Sequence, residues 1–258
     1  MPCFKHSALA VASLTLLLPL HPASGFNGLH GGNIWVWGAN ERGQLGLSAT
    51  ANDQGTVGMP VLAHKYWKGW HGINVTKVAA AHYSGEWALV LSSEGNVYSF
   101  GDCSSRNLGT GETVCSQTNC KAGPSGGGSI RCSAEPRQLV FPAGAGAIVD
   151  VAAGDDFALA SDVHGNVYGW GEASYGQLGT GCCQAQSCAR ACSGGFAVAG
   201  GVKYQYSSPV PAQFLNTTRL GAPVRSVICG SNFCMAQVLH TSFERCASIR
   251  ASSEHVLY

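Results

Sequence analysis

GNVYGWGEASYGQLGTG, residues 165–181, decides the fold, because it has two counterparts in the chain: GNIWVWGANERGQLGLS from Gly32 and GNVYSFGDCSSRNLGTG from Gly95. The three align over seventeen residues without a gap, and they start 63 and then 70 residues apart. Recurrence of this kind marks a repeat architecture, and a period above the roughly 20–50 residues of most solenoid units lies closer to propeller blades. Within each copy large aromatics alternate: Trp35 and Trp37, Tyr98 and Phe100, Tyr168 and Trp170. Residues i and i+2 share one face of a strand, so each pair projects two rings into the same side of a sheet. The preceding Gly-Asn predicts a hairpin turn into that strand. A glycine closes each strand (Gly38, Gly101, Gly171), and the Gln-Leu-Gly or Asn-Leu-Gly that follows predicts a loop tucking a leucine (Leu45, Leu108, Leu178) into a neighbour. These glycines read as structural, since no copy carries the Lys and Ser/Thr of a phosphate loop.

A second element keeps register with the first: VAAAHYSGEWALVL from Val78, VAAGDDFALAS from Val151 and VICGSNFCMAQV from Val227. The order per unit is strand, turn, strand, Gly-Asn turn, aromatic strand, leucine loop, then a variable excursion holding a proline (Pro60, Pro136, Pro209). Short strands without helical periodicity between them predict an all-β fold of four-stranded antiparallel blades.

Valine, two small residues, glycine, an apolar strand, Gly-Asn, an aromatic strand, Trp-Gly and GQLGTG together resemble the regulator of chromosome condensation repeat, most specifically at GNVYGWGEASYGQLGTG. A kelch reading drawn from HGGNIWVWG loses its double glycine in the other two copies. The resemblance implies blades of a seven-bladed β-propeller and covers about three repeats, 26–238 at its widest. That is a partial propeller. The repeats begin in the aromatic half of one unit and end in the first half of another, the offset expected when two ends complete a shared blade. Three explanations stand: a truncated gene model, an open arc that associates with itself, or a partial domain. Residues 239–258 leave the pattern, which favours truncation or a mis-spliced end.

Lys5 and His6, the apolar ALAVASLTLLLPL and the small Ala23-Ser24-Gly25 read as a signal peptide over 1–25, so the protein is expected to be secreted. The apolar run is short for a bilayer span, and no stable membrane insertion is expected. Of the twelve cysteines, eight fall in two glycine-bearing excursions: Cys103, Cys115, Cys120 and Cys132 in the loop at 103–132, and Cys182, Cys183, Cys188 and Cys192 in the loop at 182–192. Loops too polar to fix themselves by burial are stapled by disulfides in an oxidising compartment, and neither loop has the paired C-x2-C spacing of a zinc site. The pairing within them stays open. Cys229 and Cys234 read equally well as core thiols or as a bridge. Asn74-Val75-Thr76 and Asn216-Thr217-Thr218 are candidate glycosylation sites.

Charged residues make up 11% of the chain and the net charge is +1, so no electrostatic footprint for nucleic acid exists. No nucleophile, base and orienting group occur in a recognisable arrangement, so an enzyme, a cofactor or a bound metal is not expected. Tyr66, Trp67 and Trp70 form the densest aromatic patch, readable either as a binding surface or as a loop folded over a blade edge. Asp155 lies in a turn after Gly154, by default solvated. The resemblance implies more for it, because acidic residues after this glycine contact a small GTPase in the exchange factor that names the family. A histidine usual three residues after the glycine is Phe157 here. The family also includes a secreted inhibitor of β-lactamases. The expected function is therefore a secreted binding module for an unidentified protein partner, with inhibition of a secreted hydrolase or guanine-nucleotide exchange as alternatives.

Overall fold

The structure is a computed structural model that describes residues 33–47, 55–67, 69–70, 73–82, 85–111, 132–181, 196–197, 204–212, 215 and 217–238, all within the compact unit Gly31–Tyr258. The expected signal peptide, the off-pattern tail, Asn216, Cys115, Cys120 and the whole cysteine cluster at 182–192 lie outside the described residues.

Among the described residues four antiparallel sheets follow one another in chain order. The first is a pair, β1 (Trp35–Ala39) and β2 (Thr56–Leu62). The second has four strands in sequential order: β3 (Val75–Ala80), β4 (Trp87–Ser92), β5 (Val97–Asp102) and β6 (Cys132–Gln138). The third holds β7 (Ile148–Ala153), β8 (Phe157–Asp162), β9 (Val167–Glu172) and β11 (Tyr204–Pro211), with the two-residue β10 (Phe196–Ala197) paired outside β11. The last is a pair, β12 (Val224–Cys229) and β13 (Cys234–Val238), which follows the short helix α1 (Thr217–Leu220). β1 and β2 correspond to the outer strands of a blade and β12 and β13 to the inner strands of another. Among the described residues no helix is long and apolar enough to cross a membrane.

The prolines assigned to loops lie inside strands. Pro60, Pro136 and Pro209 belong to β2, β6 and β11, each beside the aromatic strand of its sheet, and each falls where the register slips by a bulge. A bulge frees a backbone N–H from the ladder, which is where a residue lacking that N–H costs least. The Gly-Asn turns form as expected through the glycine: Gly95 and Gly165 both have φ of 80°, and their N–H groups donate to Ser92 O and Asp162 O. At the start of the leucine loop Gly43 and Gly176 take positive φ, whereas the middle repeat places Arg106 there at φ 61°.

The core lies between sheets. Trp87, Leu89, Leu108, Tyr168 and Trp170 fill the layer between the second and third sheets, and Phe157, Leu159, Leu178, Val224 and Val227 that between the third and fourth. Leu108 and Leu178 are thus tucked in as expected. Leu45 is half-buried, and Leu47 is the buried leucine of the first copy.

Candidate functional site

Lys77, Asp150 and Ser226 stand immediately before the valine in the middle of the inner strand in three consecutive repeats. The fold turns that common register into a line running across β3, β7 and β12. Lys77 Nζ donates to Asp150 Oδ1, and Ser226 Oγ and the Val227 N–H donate to Asp150 Oδ2 at 2.8 and 2.9 Å. One carboxylate therefore ties three sheets together. Burial alone would raise its pKa, but the bonds from Lys77, Val227 and Ser226 outweigh that, and Asp150 is held below the ordinary carboxylate value.

Asp162 plays the corresponding part at the β8–β9 turn, which it ties to the segment entering β7. It accepts from the backbone of Gly146, His164 and Asn166, from Asn166 Nδ2, and from Tyr168 OH at 3.1 Å. Burial pushes its pKa up and this set of donors pulls it further down, to below the ordinary value. Desolvation first, and then the facing Asp162 charge, push Tyr168 up to about 12. Asp150 and Asp162 thus lend stability that is complete above the unfolded carboxylate pKa of about 3.9 and is lost as pH falls through their lower folded values. Urea midpoints measured from pH 7 down to pH 3 are expected to fall most steeply below pH 4, and Asp162→Asn is expected to lower the midpoint at pH 7 while shrinking that acid-induced drop.

The expected surface residues divide. Tyr66 is 38% exposed, but Trp67 and Trp70 are 3% and 6% exposed, so of the two readings of this patch these tryptophans follow the loop folded over its own blade and not the binding surface. Trp67 packs at 4.5 Å from Trp70 and 5.2 Å from Phe100, and Trp70 at 4.7 Å from Tyr98. The aromatic loop covers the ring face of β5, where apolar area gains more by burial than by waiting for a partner. Asp155 is also buried rather than solvated. Its carboxylate accepts from Ser231 Oγ, its carbonyl accepts from Trp87 Nε1 at 2.6 Å, and its N–H donates to Ser231 O at 3.3 Å. It joins sheets, as does the bond from Trp170 Nε1 to Asn107 O at 2.8 Å.

Cys103 and Cys132, at the two mouths of the first cysteine-rich loop, are both disulfide-bonded. Cys229 and Cys234 face each other in the β12–β13 register and form a bridge, Cα to Cα 4.2 Å. Asn74 is exposed just ahead of β3. Among the described residues no three His, Cys, Asp or Glu side chains are gathered to hold a metal ion.

Two hollows remain. One of about 350 Å³ lies at the hairpin ends between the third and fourth sheets, lined by Val149, Val163, Pro223 and Arg225, with Asp162 already engaged by its own turn. The other, about 190 Å³, is an apolar groove between β1 and the inner strands of the second sheet. Beside it Trp35 and Trp37 are 53% and 59% exposed, although their counterparts Tyr168 and Trp170 are buried. Sequence reasoning missed both the Asp150 line and this groove. The shared register of Lys77, Asp150 and Ser226 was the available signal for the first.

The regulator of chromosome condensation (RCC1) repeat model matches residues 31–84, 94–161 and 164–237, and a second model of the same repeat matches 148–177. Each of the three longer segments runs from the aromatic strand of one sheet into the next sheet, the first reaching β3 and the other two both inner strands. The RCC2 homologue of Danio rerio is 31% identical over 148 residues, 57% of this chain and 24% of that protein. Human RCC2 is 28% identical over the same share of this chain, and human HERC2, an E3 ubiquitin-protein ligase, 29% over 2% of its own length. The chain spans about a quarter of the RCC2 proteins it matches. Prp20p of Saccharomyces cerevisiae superposes with a TM-score of 0.55 at 22% identity, over 85% of this chain and 42% of Prp20p. In its complex with Kap60 the same yeast protein gives 0.55 at 21% identity. These likenesses establish the fold as that of a propeller, of which the present sheets are a part. With the repeat model matching most of its length, the chain belongs to the regulator of chromosome condensation repeat family.

Proposed function

We propose that this protein is an exported, non-enzymatic platform for binding another protein, built on propeller blades stiffened by disulfides. The observation that carries the reading is the state of the cysteines. Cys103, Cys132, Cys229 and Cys234 are disulfide-bonded, a pattern at home in an oxidising compartment and consistent with the signal-like residues 1–25. Asp150 and Asp162 are occupied in joining strands and turns, in keeping with a structural role for these two carboxylates. Protein binding is supported by the related fold, since yeast Prp20 is known in complex with Kap60 and through its binding to Gsp1p and histones. Exchange on a small GTPase is the weaker alternative, because Asp155, its candidate residue, is buried against Ser231. Inhibition of a secreted hydrolase is a narrower form of the main reading.

The test is a reporter fused behind residues 1–25 and expressed in a secretory eukaryotic host. Recovery in the medium, with the segment removed, is the expected result. Retention of the reporter in the cytosol would overturn export and restore the exchange-factor alternative.

A further inference from the structure

Ile73-Asn74-Val75-Thr76, Gly146-Ala147-Ile148-Val149 and Ala222-Pro223-Val224-Arg225 lead into the inner strands of three sheets at equivalent positions, each ending just before Lys77, Asp150 or Ser226. In the first of them the sequence reads Asn-Val-Thr, an acceptor pattern for N-linked sugar. So short a pattern arises by chance, and its meaning depends on where the fold places it.

Ile73 and Val75 are half-buried and pack against the cluster that holds Trp67, Trp70 and Phe100, while Asn74 and Thr76 are exposed. The Ser93 N–H donates to Asn74 O at 2.7 Å and Thr76 Oγ donates to Leu91 O at 3.2 Å, so β4 and the turn after it fix the segment in this orientation. Sugar is transferred to a chain that is still unfolded. The bond from Thr76 is therefore no obstacle, and the folded state need only leave the glycan an exit.

That exit belongs to the repeat. The ladder between inner strands slips at the same place each time, between Val75 and Lys77, Ile148 and Asp150, and Val224 and Ser226, and a bulge re-aims the side chain it contains. Ala147 is exposed and Val149 is 46% exposed although the third sheet packs against both the second and the fourth. Pro223 and Arg225 are exposed as well. The open position of Asn74 and Thr76 thus does not depend on what precedes the second sheet.

The same register says which end of the sheet the sugar would occupy. Val75 pairs with Ser92 and Leu91 with Val97, beside the Gly95 turn, whereas Asp102 at the far end of β5 pairs with Cys132. Five steps of roughly 3.4 Å, about 17 Å, separate the two ends of β5.

We propose that Asn74 is N-glycosylated in the exported protein, its glycan standing at the Gly95-turn end of the second sheet, opposite the disulfide-bonded Cys103 and Cys132. The proposal rests on the export reading, and the transferase of the secretory pathway supplies the catalysis. The Asn74 amide nitrogen bonds to the anomeric carbon of an oligosaccharide carried on a lipid diphosphate. The bond from that carbon to the diphosphate oxygen breaks, the lipid diphosphate leaves with the electron pair, and the nitrogen gives up one proton.

The experiment expresses the full chain in a secretory eukaryotic host twice, once with its own residues 1–25 and once with an established leader in their place. The peptide holding Asn74 is then mapped by mass spectrometry after enzymatic release of N-glycans in heavy-oxygen water. Conversion of Asn74 to labelled aspartate in both secreted forms is the expected result. Asn74→Gln and Thr76→Ala should each lose one glycan, read as one step of added mobility on a denaturing gel, while Thr76→Ser keeps it because serine still completes the acceptor pattern. Substitutions at such exposed positions change stability little, so all three variants should be secreted like the unaltered chain. A secreted chain whose Asn74 is unmodified overturns the proposal and leaves export standing. A chain that stays cytosolic and bare with its own residues 1–25, yet gains sugar on Asn74 behind the established leader, overturns the export reading and the proposal with it.

Discussion

Trp170→Ala is expected to be the most damaging single substitution in the described residues, costing roughly 3–5 kcal/mol. The indole is fully buried in the layer between the second and third sheets, at the centre of a cluster that includes Trp87, Leu108 and Tyr168. It sits over Gly109, where an added Cβ would come within 2.6 Å of the ring, so the backbone has closed around it and cannot easily collapse into the space left behind. The ring is also a polar tie, since its N–H donates to Asn107 O across the sheet boundary, and truncation would leave that carbonyl without this donor. At about 2–4 °C per kcal/mol for a chain of this size, the melting temperature should fall by roughly 10 °C. A fall of a degree or two would mean that the sheets do not depend on this layer.

Asp150→Ala should come next, at about 2–3 kcal/mol. Its carboxylate serves three sheets, but its partners do not suffer equally from its loss. Lys77 has a side chain 38% exposed and regains water, while the N–H of Val227, a residue only 1% exposed, loses its charged acceptor. Lys77→Ala should therefore cost less than about 1 kcal/mol, as expected of a partly exposed ion pair, and the two substitutions together should cost little more than Asp150→Ala alone. Chemical denaturation of the three variants checks this order. If Lys77→Ala proved as harmful as Asp150→Ala, the ion pair rather than the hydrogen bonds to β12 would be holding the arc.

The inner and aromatic strands were legible because their chemistry repeats: alternate rings, Gly-Asn and the small residues after valine are visible in three copies at once. The strands holding Pro60, Pro136 and Pro209 were hidden because a bulge breaks the alternation on which strand reading depends. Trp67 and Trp70 show a different limit. An aromatic cluster in a loop has the same composition whether it faces a partner or covers its own sheet, and only the position of β5 beneath it decides. Asp155 read as solvated because its partner, Ser231, lies 76 residues away in the next repeat. The Asp150 line was spelled out in the sequence, one residue per repeat, yet each of Lys77, Asp150 and Ser226 taken alone resembles an ordinary polar strand position.

Export and disulfide stiffening meet in one measurement: differential alkylation and peptide mapping of the protein isolated from its own cells and from their medium. The account predicts that the protein is found outside the cell, with Cys229 and Cys234 recovered in one linked peptide and Cys103 and Cys132 blocked to alkylation until reduction. A cytosolic protein whose four cysteines alkylate freely without reductant would contradict it.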